Sequence, residues 1–163
     1  MRIFPPTLVL LGLFSVLTAT AADTAFEAAF RTSLLKSFDE ATGKILSLAD
    51  AIPEAKYGWR PMEGVNSVRE VLVHVTETHY ALADRLGTKP PAGLDPQKLG
   101  ATMQTKAEAI AASQQSIKFM RKVLAEIPAE DLMPEVNVFG AKAPKLRVAL
   151  LPVDHAHEHL GQA

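Results

Sequence analysis

Phe26, Phe30, Leu34, Phe38, Ala41, Ile45, Leu48 and Ile52 recur every three or four residues, and no proline interrupts them. That spacing predicts one long amphipathic helix over about 24–50. A helix that is apolar along one side must bury that side against other elements, which commits the chain to layers of packed helices. Thr24-Ala25-Phe26-Glu27 fits a capping box at its start, and Pro53 ends it. Gly43 falls inside the helix, where glycine is unfavourable, and is expected to allow close packing against a neighbour.

The same grammar recurs downstream. Ser67-Val68-Arg69-Glu70 is a second capping box, followed by a stripe of Val68, Val71, Leu72, Val75, Leu82 and Leu86. It predicts a helix over 67–86, stopped by Gly87. Thr105-Lys106-Ala107-Glu108 opens a third, with Ile110, Ser113, Ile117, Met120, Leu124 and Ile127 inward, ended by Pro128. A fourth is expected from 145 to the end, with Leu146, Leu150 and Val153 facing the core. Pro152 predicts a kink in it or a fresh start. Between helices, residues 53–66 form a connector whose Trp59 is expected to lie over the end of the helices. Residues 88–96 form a loop leading into a helical turn at Asp95-Pro96. Residues 128–144 are irregular, with room for a short extended piece. The expected fold class is all-α, a four-helix bundle.

The first residues belong to something else. Arg2, the apolar run Leu8 to Leu17 and Ala19-Thr20-Ala21 make residues 1–22 a predicted cleavable signal peptide. Residues 23–163 would then form the bundle, in a secreted or periplasmic protein with no membrane contact once mature. The 163 residues hold no cysteine, which excludes disulfides, thiolate ligands and a cysteine nucleophile. An exported domain of this kind rests on its core, or on its core and a metal. A net charge of −1 with no basic stripe argues against nucleic acid as a partner.

Three of the five histidines fall within Asp154-His155-Ala156-His157-Glu158-His159. His155 and His159 lie four apart and share a helix face, whereas His157 points away. Two imidazoles one turn apart make half a site for a divalent transition metal. The third ligand must come from another helix. His74, at the edge of the second helix's apolar stripe, is the better candidate, and His79, inside that stripe, competes with it. Three neutral imidazoles leave coordination positions open for water or substrate, as in a reactive site. Asp154, Glu158 and Glu77 are candidates to orient an imidazole through its second nitrogen.

Three separated motifs carry a resemblance. Trp59-Arg60-Pro61-x-x-Gly64-Val65-x-Ser67-Val68-Arg69-Glu70, Leu72-Val73-His74-Val75 and His155-x-x-x-His159-x-Gly161-Gln162 occur in the order found in the DinB-like superfamily of metal-binding four-helix bundles. The chain resembles that family along the whole predicted mature length. The resemblance implies a metal triad at His74, His155 and His159 and a divalent ion such as zinc or nickel. It implies a small-molecule substrate and a homodimer; family members characterised as enzymes are metal-dependent thiol transferases or isomerases. Their last helix continues past the Gly-Gln pair, so here the turn carrying His159 is expected to fray.

Overall fold

The computed structural model describes the backbone of residues 9–163 and the side chains of residues 24–163. The predicted signal peptide, residues 1–22, lies outside the residues described in full. The fold is mostly helical, 69 % helix, with one two-stranded sheet. The chain divides into two units, residues 1–33 and 34–163.

The first helix, α1, spans Val9–Ala51. It therefore does not begin at Thr24, and the capping box expected there lies within the helix. From Ala19 to Ala29 six residues are alanine and none is glycine or proline, so nothing in that sequence stops a helix. In the first unit Phe26 and Phe30 stack with ring centroids 6.4 Å apart.

In the second unit α1 ends as expected before Pro53 and passes into a 3₁₀ turn, Glu54–Lys56. Its last carbonyls are taken by Lys106, whose Nζ donates to Asp50 O and, at 3.0 Å, to Ile52 O. That cation satisfies acceptors that a helix end leaves open. The buried aromatic of the following connector is Tyr57, 3 % exposed, its hydroxyl donating to Ala49 O at 2.5 Å. Trp59 is 59 % exposed. The expectation that Trp59 covers the helix ends is thus corrected: the smaller phenol reaches an open carbonyl.

Helix α2 spans Val68–Leu86. Ser67 accepts from Glu70 N, and the Glu70 carboxylate accepts from Ser67 N at 2.7 Å, closing the predicted capping box. Gly87 ends the helix at φ 105°, a left-handed conformation that glycine adopts without penalty. A 3₁₀ turn, Pro96–Lys98, leads into a short helix α3, Leu99–Thr102, and then α4, Lys106–Glu126, capped by Thr105.

Two short strands follow, β1 Glu135–Val138 and β2 Ala141–Pro144, antiparallel with Glu135 opposite Pro144 and Val138 opposite Ala141. Phe139 (φ 51°) and Gly140 (φ 92°) form the two-residue turn, and Gly140 N donates to Asn137 Oδ1 at 2.9 Å. The expected extended piece is therefore a hairpin. The last helix, α5, spans Lys145–Leu160 and passes through Pro152 without a break, so no new helix starts there.

One core cluster draws on Ala41, Ile45 and Ala49 of α1, Val71, Leu72 and Val75 of α2, Ala109 of α4 and Ala156 of α5. On α2 the predicted stripe is the buried one. On α5 it is not: Val148, Ala149, Pro152, Ala156 and His159 are buried, while Leu146, Leu150 and Val153 are only half-buried. The small side chains at 149 and 156 let the backbone of α5 approach its neighbours, so the face they define turns inward. Gly43 also departs from expectation. It is exposed, and a Cβ added there would meet nothing within 4 Å. It mediates no close packing, and only its entropic cost remains. Gly43→Ala is accordingly expected to stabilise the protein by about 0.5–1 kcal/mol, read as a raised urea midpoint with an unchanged m-value.

Candidate metal centre

Helices α2 and α5 pack side by side and present histidines to one another. His155 Nε2 lies 3.0 Å from His74 Nε2 and 2.9 Å from His159 Nε2. The ring centroids are 4.9 Å apart for His74–His155, 4.7 Å for His74–His159 and 4.2 Å for His155–His159. Among the described residues this trio alone forms a cluster able to hold a metal, its ligand atoms all within 4.8 Å of one another. The three predicted ligands are thus brought together. His157 is exposed on the opposite side of α5, as its spacing required.

Hydrogen bonding does not account for this convergence. An imidazole nitrogen has a single in-plane site, which holds either a proton or a lone pair. His155 Nε2 faces two other ring nitrogens and has one site to offer them. A shared cation, by contrast, accepts a lone pair from each ring, so the donor set fits a divalent transition metal. The protonation states agree. Burial first, then the charge of His159, lowers the His74 pKa, although nearby Glu158 opposes this. Burial, then His159 and His74, brings His155 down to about 4. Both rings are therefore neutral near pH 7, the form that donates a lone pair.

The competing candidate, His79, is buried at 1 % exposure and is not one of the converging trio. Its Nδ1 lies 3.0 Å from Ser116 Oγ, and its ring stands edge-on to Phe38 with centroids 5.6 Å apart. Burial, then the charge of His155, holds its pKa down to about 3.

The orienting carboxylates expected from the sequence are not where they were expected. Asp154 pairs with Arg147 at 2.8 Å, and Glu158 is exposed. Gln162 instead orients one ring of the trio, its Oε1 lying 2.7 Å from His159 Nδ1. An amide oxygen only accepts, so the proton of His159 sits on Nδ1 and its Nε2 is free to coordinate. Sequence reasoning placed Gln162 in a motif without giving it a role; its position three residues after a ligand was the available signal. The same residue closes the turn expected to fray, with Gln162 N and Ala163 N both bonded to His159 O at 3.1 Å.

The rim of the site is a cleft of about 380 Å³ lined by Asn66, Arg69, Glu70, Val73, His74 and Glu77. Trp59 is not among its lining residues. Burial raises the Glu77 pKa. Arg60 engages Glu70 at 2.8 Å, while Arg69 has no ion-pair partner among the described residues.

Two outcomes follow from this geometry. Gln162→Ala is expected to weaken metal affinity by about 10- to 100-fold, measured by competition with a chromophoric chelator. Acid should destabilise the metal-free protein. The pKa values of His79 and His155 are depressed on folding, so the unfolded chain binds more protons below the ordinary histidine value near 6.5. Their contribution is complete above that pH and is lost as pH falls toward about 4 for His155 and about 3 for His79. The slope approaches about 1.4 kcal/mol per pH unit for each histidine, read from urea midpoints across that window.

No curated protein matches the chain significantly. A family comparison matches the DinB superfamily over residues 37–163, the segment that contains all three histidines and every element from α2 onward. The match covers well over half of the sequence and agrees with the histidine geometry: the chain belongs to the DinB superfamily.

Proposed function

We propose that the protein is an exported four-helix bundle that binds one divalent ion through His74, His155 and His159 and transforms a small anionic substrate beside it. The observation that carries the reading is the convergence of three Nε2 atoms, two of the separations being 2.9 and 3.0 Å. Three such nitrogens would hold a divalent transition ion, zinc or nickel, and would leave positions for water or substrate.

A divalent ion at this position supplies Lewis acidity. The remaining work falls to the chain. Glu77, one turn from His74 and lining the same cleft, has its carboxyl pKa raised by burial, which suits it to take up and return a proton near the ion. Arg69 offers the cleft an uncommitted guanidinium, suited to a carboxylate or phosphate on the substrate. Export is supported by the apolar run Leu8 to Leu17 followed by Ala19-Thr20-Ala21. The lack of cysteine is compatible with it.

His155→Ala is expected to abolish stoichiometric metal in the purified protein, measured by elemental analysis, with the helical circular dichroism retained. Unchanged metal content would refute the ligand assignment. Hydrolytic or transfer activity on small anionic substrates is expected to vanish on chelation, and Glu77→Gln should lower turnover by about 10²- to 10⁴-fold while metal content stays the same.

A further inference from the structure

Two buried side-chain atoms among the described residues have no hydrogen-bond partner, His79 Nε2 and His155 Nδ1. Native proteins rarely leave such atoms unsatisfied, and each exception calls for an explanation. The bonds around them fix which carries a proton. Ser116 Oγ–H donates to Ser113 O at 3.0 Å, so that hydroxyl has only lone pairs left for His79. His79 Nδ1, 3.0 Å away, must then be the donor. An imidazole protonated at Nδ1 and neutral overall bears a lone pair at Nε2. His79 Nε2 is thus an acceptor. The opposite holds for His155: its Nε2 converges with those of His74 and His159, and coordination there puts its proton on Nδ1. His155 Nδ1 is a donor. One orphan is a donor and the other an acceptor, and they belong to rings close enough for the charge of one to bear on the other.

We propose that His79 is a positioning residue of the metal centre, the acceptor for the Nδ1 proton of His155, reached through one buried water. This rests on His155 being a ligand. The bonds then run in one direction: His155 Nδ1–H to the water, the water to His79 Nε2, His79 Nδ1–H to Ser116 Oγ, Ser116 Oγ–H to the carbonyl of Ser113. A ligand on α5 is tied through α2 to the backbone of α4. Phe38 braces the His79 ring edge-on, which limits its rotation out of this line. The arrangement sets the tautomer of His155 and the direction of its ring, as outer partners of metal-bound histidines do.

The test uses the full chain and zinc, which is diamagnetic. Nitrogen-15 spectra of histidine-labelled, metal-free protein are expected to show His79 protonated on Nδ1; protonation on Nε2 overturns the inference whatever the metal does. His79→Phe, which keeps a flat ring but removes the acceptor, should raise the zinc Kd by about 10- to 100-fold. His79→Gln, which retains a carbonyl acceptor and an amide donor for Ser116, should recover most of that loss; a merely space-filling role would be served better by Phe than by Gln. Should His79→Phe not fold, Ser116→Ala probes the next link, and a several-fold weaker zinc affinity is expected. Native zinc affinity in a folded His79→Phe or Ser116→Ala protein overturns the proposal. Wild-type protein that binds no zinc or nickel refutes the ligand reading itself, a failure visible before any variant is made, and removes this inference with it.

Discussion

Three lone pairs directed at one point repel one another unless a positive charge sits among them. The approach of α5 to α2 creates that condition, and the surroundings are arranged to maintain it. Desolvation and mutual repulsion hold the His74 and His155 pKa values down, which leaves both rings able to donate lone pairs to a cation. Ala149 and Ala156 are fully buried on α5 together with His159, and short side chains there admit a close approach. Larger residues there would hold the helices apart and separate nitrogens that now stand 3.0 Å apart.

The outer bonds of the site are made by neutral groups. Gln162 serves His159, and the polar set of Ser113, Ser116 and Thr76 runs through the contact of α2 with α4 beside His79. Neutral amide and hydroxyl partners fix ring tautomers without adding a charge that would have to be buried. The acidic residues near the ligands in sequence are occupied or exposed: Asp154 is held by Arg147, and Glu158 faces solvent. Glu77 differs, because partial burial raises its pKa at the edge of the cleft.

His74 lines a surface cleft on one side of the trio, while His159 is buried on the other. The rim presents Arg69, Asn66 and Glu77, and the interior holds apolar side chains, the hydroxyls of Thr76, Ser113 and Ser116, and the ring of His79.

Local chemistry made much of this legible from the residues alone. Ser67 and Thr105 marked helix starts because each has a glutamate three residues on, and Gly87 marked an end because only glycine enters the left-handed region freely. The four-residue spacing of His155 and His159 put them on one face by helix geometry. Where several faces were equally apolar, periodicity failed. Leu146, Leu150 and Val153 looked more buried than Ala149 and Ala156, yet the buried face runs through Val148, Ala149, Pro152 and Ala156, a choice made by how α5 docks. The choice between His74 and His79 was likewise beyond spacing alone. Both lie on α2, and only the packing of α5 determined that His74 meets the pair while His79 stays behind it in the core. Sequence specifies what each helix is and which residues share a face; contacts between residues about eighty positions apart depend on how the helices dock, and docking is a property of the assembled surfaces.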